Sequence, residues 1–92
     1  MSEYIEIESE INDDGTIFIE TNLPLTAGNA VEQYESSLEL DRGTPVAQAL
    51  GGIEGIDSLS MVGGEIVITC RPDADRHVIV ADVSAALKEF FL

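Results

Sequence analysis

Ninety-two residues fit one domain and leave no room for a second hydrophobic core. Eighteen Asp and Glu against four Lys and Arg give a formal net charge of -14, which excludes the basic patch that a phosphate backbone requires and disfavours anionic membrane surfaces. No apolar run approaches the ~20 residues of a membrane-spanning helix, and the 45% hydrophobic content suits an ordered core of modest stability instead. The start, Met1-Ser2-Glu3-Tyr4, lacks the basic and apolar regions of a secretion signal. The single cysteine, Cys70, rules out an internal disulfide. Together these features predict a soluble, cytoplasmic protein that binds neither nucleic acid nor membrane, with solubility the simpler reading of its acidity and a salt-rich cytoplasm the alternative.

From Glu3 to Glu10 the chain alternates, with Ile5, Ile7 and Ile11 on one side and Glu6, Glu8 and Glu10 on the other, as a half-buried strand does. Asn12-Asp13-Asp14-Gly15 supplies turn chemistry, and Thr16-Ile17-Phe18-Ile19-Glu20-Thr21 is rich in β-formers, so the two segments predict a hairpin. Asn22 to Ser37 loosens around Pro24 and Gly28 and reads as a long loop, with a helical turn near Ala30 to Tyr34. Ser37 to Asp41 alternates briefly and predicts a short edge strand.

Thr44 suits an N-cap and Pro45 the first helical position, so Val46 to Leu50 predicts a short helix burying Val46, Ala49 and Leu50 and ended by Gly51-Gly52. Ile56 to Val62 and Glu65 to Cys70 flank Gly63-Gly64, a two-residue linker suited to a tight hairpin. Pro72-Asp73-Ala74-Asp75 opens a final helix, in which Val80, Val83, Leu87 and Phe90 recur at helical spacing beside Ile79 and Ala86. The predicted architecture is α+β and two-layered: an antiparallel four- to five-stranded sheet with a short helix and a long C-terminal helix on one face. Gly15, Gly55, Gly63 and Gly64 are its structural turns.

Pro45-x-Ala47-x-x-Leu50, then Ile53-Glu54-Gly55-Ile56-x-Ser58-Leu59, then Glu65-Ile66-Val67-Ile68-Thr69 resembles the N-terminal domain of Nfu/NifU-like iron–sulfur scaffold proteins. Gly15-Thr16-Ile17-Phe18-Ile19 stands where that family has an apolar strand, and Glu89-Phe90-Phe91 closes the final helix as it does there. The chain departs from the family pattern at Asn12-Asp13-Asp14 and at Leu50-Gly51, and it has no tryptophan. The resemblance implies a module linked to iron–sulfur assembly that stands alone, without the separate Cys-x-x-Cys domain that binds the cluster.

A conventional cluster takes four thiolates, and Cys70 supplies one, on the Ile66 and Ile68 side of its strand, where a thiol is buried and inert. Asp73, Asp75 and His77 are the weak candidates for a metal site, against which stands their simpler reading as helix-start caps on a polar face. Asn12-Asp13-Asp14 lacks the spaced ligands of a calcium loop. Ser36, Ser37, Ser58, Ser60 and Ser84 lie in no nucleophile context, and the glycine pairs lack phosphate-loop spacing. The sequence therefore implies no catalytic residue and no cofactor. The reading it favours is a monomeric, non-enzymatic protein-interaction module whose partner is an iron–sulfur assembly or client protein, met through a sheet edge, the Leu23 to Ser37 loop or an acidic face. The alternative is a small ligand- or metal-binding regulatory domain.

Overall fold

The computed structural model describes residues 5–26, 28 and 30–91, the side chain of Ser37 excepted. Chain order runs β1 (Ile7–Ile11), β2 (Thr16–Thr21), β3 (Val31–Tyr34), α1 (Ser37–Asp41), α2 (Pro45–Leu50), β4 (Ile56–Val62), β5 (Glu65–Cys70) and α3 (Arg76–Phe91). The expected start of the first strand at Glu3 and Tyr4 lies outside the described residues. All strand pairings are antiparallel, in the order β1-β2-β5-β4-β3. Two local hairpins, β1–β2 and β4–β5, are thus joined through β2 and β5, and β3 returns to the far edge beside β4. This is an α+β fold with an antiparallel sheet of five strands and its helices packed on one face.

Alternation in the central strands sorts the two faces. Ile17 and Ile19 of β2 and Ile66 and Ile68 of β5 are fully buried and stand opposite one another in register. Each contributes about 1.5–3 kcal/mol by leaving water. Leu59 and Met61 of β4, Val46, Ala47 and Leu50 of α2, and Ile79, Val83 and Leu87 of α3 complete the same core. The α3 residues recur at i, i+4 and i+8, which keeps one stripe of the helix on the sheet.

The second hairpin and α2 fall where the sequence places them. Thr44 caps α2 by accepting from Ala47 N at 3.4 Å, and Pro45 occupies the first turn. Within α2 the buried alanine is Ala47, and Ala49 is only half-buried. At the end of α3, Phe91 packs against the core while Phe90, expected there, is 42% exposed. The stripe through Val83 and Leu87 reaches residue 91 at the next i+4 step, so Phe90 falls outside it and meets Phe91 edge to face at 5.0 Å.

Two expectations are overturned. The segment expected as a loop with a helical turn near Ala30 contains β3, which pairs with β4 from Val31↔Val62 to Tyr34↔Leu59. Its strand character comes from long-range pairing, since Val-Glu-Gln-Tyr carries little local signal. The expected edge strand at Ser37 to Asp41 is instead α1. Ser36 Oγ accepts from Glu39 N, and the Glu39 carboxylate accepts from Glu35 N at 2.9 Å, a variant of the reciprocal capping box. The Leu38/Leu40 alternation survives as helix geometry: two residues apart on a helix is about 200°, so Leu40 is buried and Leu38 is 71% exposed.

Candidate functional site

The metal candidates at the start of α3 are not gathered into a ligand set. Asp75 caps the helix, its Oδ1 accepting from His77 N at 3.0 Å and Val78 N at 3.3 Å. Asp73 and Asp75 line an open groove of about 870 Å³ with Glu54, Asp82 and Arg71, between the Gly51–Ile56 connection and α3, whereas His77 is not part of its lining. Among the described residues no group of three or more His, Cys, Asp or Glu side chains is placed to hold a metal ion.

Cys70 closes β5 on the core side with 7% of its surface exposed. Burial pushes its thiol pKa up, opposed only in part by the positive charge of Arg76, so it stays a protonated thiol at neutral pH. Arg76 itself lies over the β1–β2 turn. Its Nη2 sits 2.9 Å from where a Cβ on Gly15 would be, and its Nε is buried without a hydrogen-bond partner among the described residues. Asp14, in that turn, accepts from Thr16 Oγ1 at 2.7 Å and Thr16 N at 3.1 Å, and these bonds hold its carboxyl below the usual carboxylate range. Asn12-Asp13-Asp14 is therefore occupied in making the turn.

Of the turn glycines, Gly15, Gly55 and Gly63 adopt positive φ, and Gly64 is required by a close approach. A Cβ on Gly64 would stand 2.3 Å from Thr21 O. The serines are dispersed: Ser36 caps α1, Ser58 and Ser60 lie on β4, and Ser84 is in α3.

One polar cluster escaped sequence reasoning. Glu32 and Tyr34 of β3 point to the helix side, where the Tyr34 hydroxyl and Thr44 Oγ1 both donate to Glu32 Oε1. The Tyr34 ring covers Gly43, leaving no room for a side chain there. Burial and the Glu32 hydrogen bond push the Tyr34 phenol pKa up. The cluster ties edge strand β3 to the cap of α2, which is a structural task.

The open face of the sheet is the other surface of note. Register sets Glu8 opposite Glu20, Glu20 opposite Glu65, Glu65 opposite Val62 and Val62 opposite Val31 in one row. The next row runs Glu10, Phe18, Val67, Ser60 and Gln33. Glu8, Glu10 and Glu20 with Phe18 line a shallow depression of about 360 Å³. The sequence marked Glu8 and Glu10 as a solvent face but missed their alignment with Glu20 and Glu65; the outward parity of β2 and β5 was the available signal.

With this geometry in place the chain can be compared with known proteins. No family model and no curated protein matches it. Among solved structures, the crystal structure of protein SAV1430 from Staphylococcus aureus superposes with a TM-score of 0.64 over 89% of this chain and 94% of that one, at 21% identity. The two share an α+β fold. At that identity the likeness concerns the fold alone. No helix among the described residues is long and apolar enough to cross a membrane.

Proposed function

We propose that this chain is a non-enzymatic protein-interaction module that serves iron–sulfur cluster assembly without itself holding the cluster. The observation that carries the interaction reading is the five-stranded sheet with helices on one side only, whose other face presents Phe18 and Val67 beside four carboxylates. The link to iron–sulfur assembly is supported by the run from Pro45 to Thr69 that resembles Nfu/NifU-like N-terminal domains, laid out as α2, the Gly55 turn and the β4–β5 hairpin. The sole thiol of the chain is buried in the core with a raised pKa, which opposes cluster ligation by Cys70.

Affinity capture of the tagged protein from its own cell extract, with and without ferrous iron, followed by mass spectrometry, tests this. Retention of iron–sulfur assembly or client proteins is the expected result, and a blank in both conditions overturns it. A second reading, a small-ligand regulatory domain, is favoured by the acidic groove of Glu54, Asp73, Asp75 and Asp82. Its ligand would be a cationic small molecule, detected by calorimetry and lost in Asp73→Asn/Asp82→Asn.

A further inference from the structure

We infer that the open sheet face docks a protein whose contact surface sets lysine and arginine side chains beside an apolar or aromatic patch; this deepens the interaction reading and takes nothing from its iron–sulfur link. Side chains directly opposite on adjacent antiparallel strands stand about 4.5–5.5 Å apart at Cβ, and like charges there repel. The register places Glu8, Glu20 and Glu65 in that relation across three strands, with Glu10 one pleat away. All four are exposed, and none of their carboxylates has a hydrogen bond or ion pair among the described residues.

Among the described residues no cationic side chain of the sheet relieves the repulsion. The five strands contain no Lys, Arg or His; Arg42, Arg71, Arg76 and Lys88 lie in α3 and the connections. Beside the carboxylates runs an apolar strip: Phe18 stands opposite Val67, and Val62 opposite Val31, with Val67 39% and Val31 67% exposed. An apolar strip flanked by one sign of charge fits a partner that carries the other sign, because charge complementarity steers encounter and rejects like-charged surfaces. It rejects a second copy of this chain, which would set carboxylate against carboxylate. It likewise rejects nucleic acid and anionic lipid.

The test is a titration of the ¹⁵N-labelled protein, followed by NMR, with a synthetic peptide alternating lysine with valine and tryptophan, beside a control peptide carrying glutamate for lysine. The expected result is amide shifts concentrated on β1, β2 and β5 with the lysine peptide alone. Glu20→Gln/Glu65→Gln should weaken the affinity about tenfold while raising the melting temperature, because the same charges that repel in the free protein attract the partner. Asp73→Asn/Asp82→Asn, in the groove on the helix side, should leave the affinity unchanged. Shifts centred on Glu54, Asp73 and Asp82, equal affinity in Glu20→Gln/Glu65→Gln, or dimerisation of the chain through this face would each overturn the inference. Capture of iron–sulfur proteins undiminished by Glu20→Gln/Glu65→Gln would overturn this surface and leave the proposed function standing. Face-dependent capture of identified cationic proteins unrelated to iron–sulfur chemistry would do the reverse.

Discussion

Along β5, Ile66 and Ile68 are wholly buried beneath the helices, while Glu65 and Thr69 are exposed and Val67, between them, keeps 39% of its surface in water. The same contrast divides β2, where Ile17 and Ile19 vanish into the core and Thr16, Phe18 and Glu20 face outward. Both faces use one backbone and one hydrogen-bond ladder, so the difference between them is all side chain. Close packing governs the covered face, where a missing methylene leaves a void. Charge governs the open face, where the side chains lie in solvent and the unfavourable term is carboxylate against carboxylate. Such a row, with no cationic side chain in the five strands, costs the free protein stability through like-charge repulsion.

Paired substitutions on the two faces test this contrast. Ile68→Ala should cost about 2–5 kcal/mol in urea unfolding, through lost burial and a cavity, whereas the neighbouring Val67→Ala should stay within about 0.5–1 kcal/mol; similar losses at both positions would erase the distinction between the faces. Gly64→Ala should cost about 2–3 kcal/mol, because its Cβ would press on Thr21 O while Thr21 N donates to Gly64 O at 2.8 Å, where the second hairpin leans on the end of β2. Gly52→Ala, with nothing within 4 Å of the added carbon, should lie within about 0.5 kcal/mol.

Ionic strength addresses the open face directly. Raising salt from about 0.01 to 0.15 M shortens the screening length from about 30 to 8 Å, so the melting temperature should rise by a few degrees, and by less in Glu20→Gln/Glu65→Gln. Scanning calorimetry at the two salt concentrations measures it; an equal rise in both proteins would place the repulsion elsewhere. The smallest effect belongs to the covered face at high pH. The folded pKa of Cys70 is raised above its ordinary 9.0 by burial, so its contribution to stability is complete below that ordinary value and is lost as pH rises through the folded one. Stability should therefore decline above pH 9, less steeply in Cys70→Ala, with Tyr34 supplying a residual decline of the same sign. An identical alkaline slope in the variant would show that Cys70 is not the titrating group.

Elements whose signals are local could be read directly from the residues. Thr44-Pro45 caps and starts a helix wherever it stands, Gly63-Gly64 admits a tight hairpin, and the period of Ile79, Val83 and Leu87 commits α3 to one buried stripe. The isoleucines of β2 and β5 announced the covered face through strict alternation, and Cys70 was legible as buried from its parity with Ile66 and Ile68. Tertiary structure decided the rest. Whether Val31 to Tyr34 is strand or loop depends on β4, more than twenty residues away along the chain. At Ser37 to Asp41 the local signal was present in the Ser36-x-x-Glu39 cap and was outweighed by the Leu38/Leu40 alternation; the core space that takes Leu40 confirms the helix. The candidate site belongs to this second class. Glu8, Glu20 and Glu65 are far apart in sequence and each looks like an ordinary solvated carboxylate. The local β1–β2 hairpin sets Glu8 against Glu20, but Glu65 joins them only because β2 pairs with β5, a long-range contact that no local periodicity encodes.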